Sequence, residues 1–449
     1  MLSKKTARLL TSGLIITNGV TKMMKKSILL FVMILCCSIL GGCKKNYLKN
    51  DMQHKENISQ KTATIKNKNK IDSEKREKGY NLPVDKKEAE EAGNDCRKIM
   101  ETIRDLYNQA KKRGLSNDIL DDKTIIKMQN KVKNTGYPVT TMLRYSDMKN
   151  YKSMIDFLTK CEGGEENTIV IYKIRNDGGI VRYKFIFDGE EMYSLSSAAN
   201  WNKNGKSDIL YTSYDRIKKW KYTDKGWFCY ELCVPEYPEV TEMVDGSNLI
   251  RVKPYRKRQR ELSKKCVSVL GYQGNNVLCS NWDTEHLDKL DYNGLYEYLY
   301  VMKYNKKFPD KKYSGGIPKD EFEELITEYI PISAEKLRKY AVYDKEKRVY
   351  PWHILGCMNY TPTFFGTSMP EVTDIKENED GTVTLTVDAV CEMVLCDDDV
   401  ITHELTVKFY KDGSFKYLSN KILNGGINDI PDYQYRIISN SSAIMKKNK

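Results

Sequence analysis

The spacing of apolar residues changes at Gly163-Gly164, and this change constrains the fold more than any other feature of the sequence. Before it, apolar residues recur at steps of three and four, which predicts amphipathic helices. The first stripe consists of Ala89, Ala92, Cys96, Ile99, Ile103, Leu106 and Ala110. Two more helical patterns follow, over residues 125–132 and 148–158. We therefore expect a helical segment over residues 85–162.

After the two glycines, the composition of the chain becomes typical of β-strands. Four segments are rich in β-branched and aromatic residues, at positions 168–174, 180–187, 209–214 and 220–233. Asn-Gly and Asp-Gly pairs lie between or within them, and such pairs favour tight hairpin turns. The pattern predicts an antiparallel β-meander over residues 163–260.

The C-terminal part combines helical and strand patterns. Residues 261–314 have mixed character and are expected to connect the meander to a C-terminal domain at 315–440. Helical patterns begin at Pro318 and Ser333. Three alternating strands follow, over residues 382–387, 402–410 and 414–418. Helices followed by antiparallel strands indicate an α+β fold, with the helices packed on one face of the sheet.

An apolar run near the N-terminus determines where the chain is expected to reside. Residues 28–40 read ILLFVMILCCSIL and follow Lys25 and Lys26. These thirteen residues are too few to span a bilayer as a helix, which takes about 20 residues. Their length fits the hydrophobic region of a signal peptide. The run ends in Leu40-Gly41-Gly42-Cys43, which resembles the lipobox of bacterial lipoproteins.

The lipobox resemblance implies export, cleavage before Cys43 and lipidation of its thiol, so that residues 1–43 form the signal peptide and lipidation site. It implies a palmitate-bearing lipoprotein, anchored in the cell membrane of a Gram-positive bacterium on the extracytoplasmic face. The membrane would then be the first partner. Met23 or Met24 is expected to be the true start, because residues 1–22 precede a complete signal. An ordinary membrane anchor that contains cysteines is the alternative.

Residues 44–84 are rich in Lys, Asn and Ser and almost lack large apolar side chains, which predicts a flexible stalk. Residues 44–80 hold eleven Lys/Arg against five Asp/Glu, a net charge of +6. A basic segment beside an acyl chain strengthens attachment to anionic lipids. A solvated tether without membrane contact is the alternative.

A basic run at residues 251–260 is the strongest candidate for a binding site. The whole chain carries a formal net charge of +13, and this run holds six positive charges in ten positions. Outside the membrane, the abundant polyanions are lipid head groups and phosphate-bearing wall polymers, and nucleic acid is not expected. We expect contacts with an anionic wall polymer, or with another surface protein, at Arg256, Lys257, Arg258 and Arg260. A solvated loop is the alternative.

No recognisable motif assigns a catalytic residue. The sequence has no G-x-S-x-G, no phosphate-binding loop and no dinucleotide fingerprint, so no cofactor is expected. The densest polar cluster, within residues 279–290, contains Asp283, Glu285 and His286. Carboxylates there support, as an alternative function, a hydrolase acting on the cell wall or other glycans. A helix start capped by Ser280 or Asp283 explains the same cluster.

The spacing of Asn200, Asn202, Asn204 and Asp208 resembles a calcium loop, but amides replace three of its carboxylates. A hairpin turn at Asn204-Gly205 explains the same residues, so no metal site is expected.

Nine cysteines follow the leader, and this odd number leaves at least one thiol without an intramolecular partner. The sequence allows disulfide bonds, for example between Cys266 and Cys279, but does not assign them. An anaerobic cell surface would allow all of them to remain reduced.

Two phrases in the body resemble a group of uncharacterised lipoproteins from Gram-positive anaerobes. They are Gly271-Tyr272-Gln273-Gly274-Asn275-Asn276, with Cys279-Ser280-Asn281-Trp282 after it, and Thr402-His403-Glu404-Leu405-Thr406-Val407. The resemblance covers most of residues 85–440 and implies no activity. We therefore expect a non-catalytic binding or interaction module for an anionic or proteinaceous partner in the cell envelope.

Overall fold

The computed structural model describes residues 76–111, 119–355, 365–392 and 397–437. The predicted signal peptide with Cys43, both predicted start residues and most of the predicted stalk lie outside the described residues, as do Cys357 and Cys396. All the described residues belong to one compact unit. Among them, no helix combines the length and the apolar composition needed to cross a bilayer.

Most helices form where the sequence predicts them, but the helix at residues 257–262 lies in the basic run, where none was predicted. Their bounds are α1 Lys86–Gln109, α2 Asp122–Lys133, α3 Tyr151–Glu162, α4 Lys257–Leu262, α5 Tyr292–Tyr304, α6 Lys319–Tyr329 and α7 Ala334–Tyr340. At the start of α1, the Asp85 carboxylate accepts hydrogen bonds from the backbone of Lys87 and Glu88, and Asp121 caps α2 in the same way. The helical patterns predicted before Gly163 are confirmed.

Seven strands form one sheet in chain order. They are β1 Val139–Thr141, β2 Asn167–Ile174, β3 Ile180–Phe187, β4 Met192–Trp201, β5 Ser207–Tyr222, β6 Trp227–Leu232 and β7 Ser247–Arg251. Every neighbouring pair is antiparallel except β1 and β2. The predicted antiparallel meander is confirmed, and β1 extends it by one short parallel strand.

Strand β4 was not predicted because its residues are unusually small for a strand. Its sequence, MYSLSSAANW, contains three serines and two alanines. Helix α1 lies directly against it, since the Cys96 thiol is 3.6 Å from the backbone oxygen of Ser197. Small side chains on β4 allow this close approach of helix and sheet.

The sheet is apolar on both faces because helices cover both. Alternate residues of β2 show this, since Tyr172 packs in one cluster with α1 and α2, and Ile171 packs in another with α3. The second cluster joins Phe157 of α3 to residues of every strand from β2 to β7, including Phe185 and Ile250. The sheet therefore curves around α3.

A second sheet forms the C-terminal part. Its strands are β10 Met369–Glu377, β11 Val383–Val390, β12 Asp399–Phe409 and β13 Phe415–Ile422, all antiparallel and in chain order. A small ladder, β8 Ile317–Pro318 with β9 Val349–Tyr350, lies beside α6. Leu295 of α5 and Phe322 of α6 share one core with Leu405 of β12. The α+β class, with helices packed on the C-terminal sheet, is confirmed.

The sequence predicted three strands in this sheet, and the structure has four. Strand β10 was missed because its sequence, MPEVTDIKE, begins beside a proline and carries three acidic residues that hide its alternation. Glu371 in this strand is buried, and Arg251 of β7 in the other sheet supplies the cation that it contacts.

The last residues of the predicted stalk are bound to the large sheet. The backbone of Arg216 in β5 donates to Gly79 at 2.7 Å, and that of Leu82 donates to Tyr214 at 2.8 Å. Leu82 is buried. The ordered body therefore begins before α1, on the strand that α1 covers.

Candidate functional site

The predicted basic contacts lie on α4, which is fixed to the body by its flanking residues. The Tyr255 hydroxyl donates to the backbone of Val372 in β10 at 2.8 Å, and the Tyr255 backbone donates to Asp147 at 2.8 Å. Gln259 on the inner side of α4 is buried and donates to the backbone of Thr373. Helix α4 is therefore fixed to the body by hydrogen bonds and is not a solvated loop.

The structure separates the four predicted contacts into two groups. Arg260 turns toward the body and pairs with Asp147, and only a quarter of its side chain is exposed. Arg256 and Lys257 are exposed, and Lys257 lies 3.9 Å from Glu261. Arg258 pairs with Glu377 and remains largely exposed. Three of the four cations are therefore accessible.

Two further cations, which the sequence reasoning missed, extend this face. The chain continues from α4 into a π-helical turn, Ser263–Val267, where Lys264 and Lys265 are exposed. They follow Lys257 and Arg258 by seven residues in the sequence and extend the run of exposed cations beyond α4. We call Arg256, Lys257, Arg258, Lys264 and Lys265 the basic surface. The repeat at seven residues was the available signal for it.

A hollow of about 380 Å³ adjoins the basic surface. Arg258 and Lys265 border it, together with Leu262 and Phe409. The Lys265 ammonium lies 5.1 Å from the centre of the Phe409 ring and donates to the backbone of Gly413 at 2.8 Å. The hollow thus offers apolar contact beside positive charge.

A charge cluster whose carboxylates are largely buried joins the two sheets. Lys225, in the turn between β5 and β6, places its ammonium 2.9 Å from Asp388 and 2.7 Å from Asp399 of the C-terminal sheet. Asp398 is 3.7 Å from the same ammonium. Burial raises the pKa of Asp398 to about 6, and burial also raises the pKa of Asp388.

Arg251 and Glu371 form a second buried pair beside this cluster. Both side chains are almost fully buried, and the guanidinium lies 4.0 Å above the Trp227 ring and 4.9 Å from the Tyr255 ring. Burial raises the pKa of Glu371 to about 7, although the attraction of Arg251 opposes this rise. Arg251, which the sequence counted within the basic run, is therefore an internal residue.

Three consecutive aspartates, Asp397 to Asp399, have carboxylate oxygens within 4.8 Å of one another. In the described part of the chain, this is the only group of acidic, histidine or cysteine side chains close enough together to share a metal ion. The Lys225 ammonium already approaches two of them. The positive charge that this cluster requires is thus supplied in part by the protein itself.

The two sequence segments that resemble uncharacterised lipoproteins, residues 271–282 and 402–407, contact each other in the C-terminal core. Asn420 donates its amide to the backbone of Ser280 at 2.9 Å, so its oxygen faces His403 Nδ1 at 2.6 Å as an acceptor. Nδ1 of His403 therefore carries the hydrogen, and Nε2 accepts from the Tyr272 hydroxyl at 2.9 Å. Burial lowers the pKa of His403 to about 4, so the ring is neutral at physiological pH.

The cluster at residues 279–290 contains a tight turn that the Asp283 side chain stabilises. Asp283 accepts backbone hydrogen bonds from Glu285 and His286, each at 2.9 Å, before the 3-10 turn Leu287–Lys289. The hydrogen bond from the His286 ring lowers the pKa of Asp283. The 3-10 turn itself begins after His286 and has no side-chain cap, so the predicted helix cap is not found there, and the hydrolase stays a prediction without a supporting contact.

The Asn200–Asp208 segment forms the hairpin between β4 and β5. The Asn202 side-chain oxygen accepts from the backbones of Asn204 and Lys206, at 2.9 and 3.0 Å. Gly205 adopts a positive φ of 69°. The amides thus serve the turn, as the hairpin explanation requires.

Seven cysteines lie within the described residues, and all are buried; Cys96, Cys161, Cys233, Cys266 and Cys279 have free thiols. Cys266 and Cys279 belong to one apolar core and are not bonded to each other. Burial raises the pKa of both thiols to about 12.

Comparison with known proteins gives a family and no activity. No curated protein and no solved structure matches the chain. Residues 89–436, which include both sheets, α4 and the charge cluster between the sheets, match a family of unknown function (DUF6070). The expectation that the body belongs to an uncharacterised family is confirmed. The chain is therefore a member of this family of unknown function.

Proposed function

We propose that the protein is an exported lipoprotein of a Gram-positive cell envelope, and that its folded body binds an anionic polymer without catalysis. The lipobox-like residues before Cys43 support this localisation. After cleavage, the acylated cysteine holds the protein at the extracytoplasmic face of the cell membrane. The basic residues of the stalk then add attraction to anionic lipid.

The observation that carries the binding proposal is the basic surface. Its five cations are all exposed and follow one another along a short segment that Tyr255 fixes to β10, and Glu377 and Glu261 are the acidic residues paired with them in the described chain. A fixed row of positive charge attracts polyanions and releases their counterions. The partner with this chemistry outside the membrane is a wall polymer that carries repeated phosphates.

We expect binding of a purified phosphate-rich wall polymer to weaken about 100-fold between about 50 mM and 200 mM salt, as for about four phosphate contacts. Changing Arg256, Lys257 and Lys264 to Glu should abolish measurable binding at the higher salt. The matched control changes Lys98, Lys203 and Lys336, all exposed and distant in sequence, to Glu. Equal loss in both triple variants, or salt-insensitive binding, would refute the basic surface.

Lipidation of Cys43, on which the proposed localisation depends, has a separate test. Cells expressing the wild type should incorporate labelled palmitate into the protein, and the Cys43→Ser variant should incorporate none, because its hydroxyl replaces the acyl-accepting thiol. Cys37→Ser, in the same leader, should keep the label and serves as the control. Label in the Cys43→Ser protein, or none in the wild type, contradicts the lipoprotein assignment.

A further inference from the structure

A cavity of about 280 Å³ lies where the two edges of the large sheet approach each other. Thr140 and Thr141 of β1 line one side, and Leu249 and Arg251 of β7 line the other. These strands are the first and last of the sheet. The curvature around α3 therefore brings the opposite edges to a common opening.

The floor of this cavity is apolar. Trp227 and Val390 are buried there, and Leu249 and Met369 pack against them. Val390 and Met369 come from the C-terminal sheet, so both sheets build the floor. Its volume is close to the lower limit of small-molecule sites, about 300 Å³.

The rim is positively charged. Arg144 is exposed. Lys173 of β2, which is partly buried, lies opposite Thr140 of β1. Neither cation forms an ion pair within the part of the chain described. Glu392 is the one acidic residue of the lining and is exposed. The charge of Arg251 is compensated by Glu371. Two uncompensated cations against one carboxylate leave the rim with a net positive charge.

We propose that this cavity binds a small amphipathic anion, an apolar ring or short chain that carries one carboxylate. The apolar part lies on Trp227, Leu249 and Met369, and the carboxylate pairs with Lys173 and Arg144. Thr141, whose hydroxyl is 2.9 Å from that of Ser146, adds a polar group at the same end. The site shares no residue with the basic surface, so either proposal can fail without the other.

The probes are 2-naphthoate and its uncharged analogue 2-naphthamide, titrated calorimetrically into the folded protein. We expect naphthoate to bind at one site per molecule and more tightly than naphthamide. Lys173→Ala and Arg144→Ala should each weaken naphthoate binding about tenfold, the loss of one charge-assisted hydrogen bond. Neither change should alter naphthamide binding. Lys219→Ala, on exposed β5 outside the cavity, is the matched control and should leave both affinities unchanged.

Two more variants locate the site. Leu249→Trp should fill the cavity and remove binding of both probes, and its unfolding transition verifies that it is folded. Glu392→Gln should strengthen naphthoate binding about twofold, because it removes the opposing charge at an exposed position. Equal affinity for the two probes, no effect of Lys173→Ala and Arg144→Ala, or an equal loss in Lys219→Ala would overturn the proposal.

Discussion

Replacing His403 with phenylalanine is expected to lower the free energy of unfolding by about 2–5 kcal/mol at neutral pH. Phenylalanine keeps an aromatic ring, somewhat larger than imidazole, but removes both ring nitrogens. The Tyr272 hydroxyl and the Asn420 oxygen, both in buried side chains, then lose their partners. Each stranded group costs its desolvation energy, about 1–3 kcal/mol.

The same residue should make stability depend on pH. Burial lowers the pKa of His403 to about 4 from the ordinary 6.5. Between these values the unfolded chain binds a proton that the folded chain excludes, so stability is lost as pH falls from about 6.5 to about 4. The contribution reaches about 3 kcal/mol.

Denaturant unfolding of both proteins from pH 7.5 to pH 4 measures this contribution. Burial raises the pKa of Glu371 to about 7, so this residue makes the folded protein more stable as pH falls, opposite to His403. Glu371 is present in both proteins, so the difference in their free energies of unfolding isolates the contribution of His403. That difference should shrink by about 3 kcal/mol toward pH 4. His286→Phe, at an exposed position, is the control and should change stability by about 0.5 kcal/mol or less. A difference that stays constant with pH contradicts a neutral buried ring.

Replacing Arg251 with methionine is expected to cost about 3–5 kcal/mol. The change leaves Glu371 buried, without its cation and within the field of Asp388 and Asp398. It also removes the guanidinium that lies over the Trp227 ring. The loss should therefore exceed that of an exposed ion pair, which contributes about 0–1 kcal/mol.

The double variant Arg251→Met with Glu371→Leu should recover most of this loss, to within about 1.5 kcal/mol of the wild type. The reason is that two apolar side chains need no charge compensation. Unfolding of the wild type, both single variants and the double variant gives the coupling energy directly. The exposed pair Arg258–Glu377 provides a parallel cycle with a small expected coupling. Additive effects at Arg251 and Glu371 would contradict a mutually dependent buried pair.

The sequence was informative wherever structure depends on local spacing. The stripe that begins at Ala89 predicted α1, and Asn204-Gly205 predicted the turn that now joins β4 to β5, although β4 itself was missed. Both features depend on residues within a few positions of one another. The α+β class follows from the order of such segments.

The sequence could not reveal contacts between distant segments. Arg251 belongs to a basic run, but its partner Glu371 is 120 positions away in a strand that alternation did not predict. Lys225 lies in an ordinary turn sequence and yet compensates carboxylates of the other sheet. The cavity also requires β1 and β7 to meet through the curvature of the whole sheet, which no local pattern describes.

The burial of the free thiols has a consequence for how the protein responds to oxidants. Thiolate is the form that oxidants and disulfides attack, and burial raises the pKa of Cys96 and Cys161 to about 11, so hardly any thiolate exists at neutral pH. Oxidation must then wait for the chain to open, and its rate reports how often the body unfolds. In air, each opening exposes reactive sulfur that can cross-link, which converts a reversible fluctuation into permanent damage.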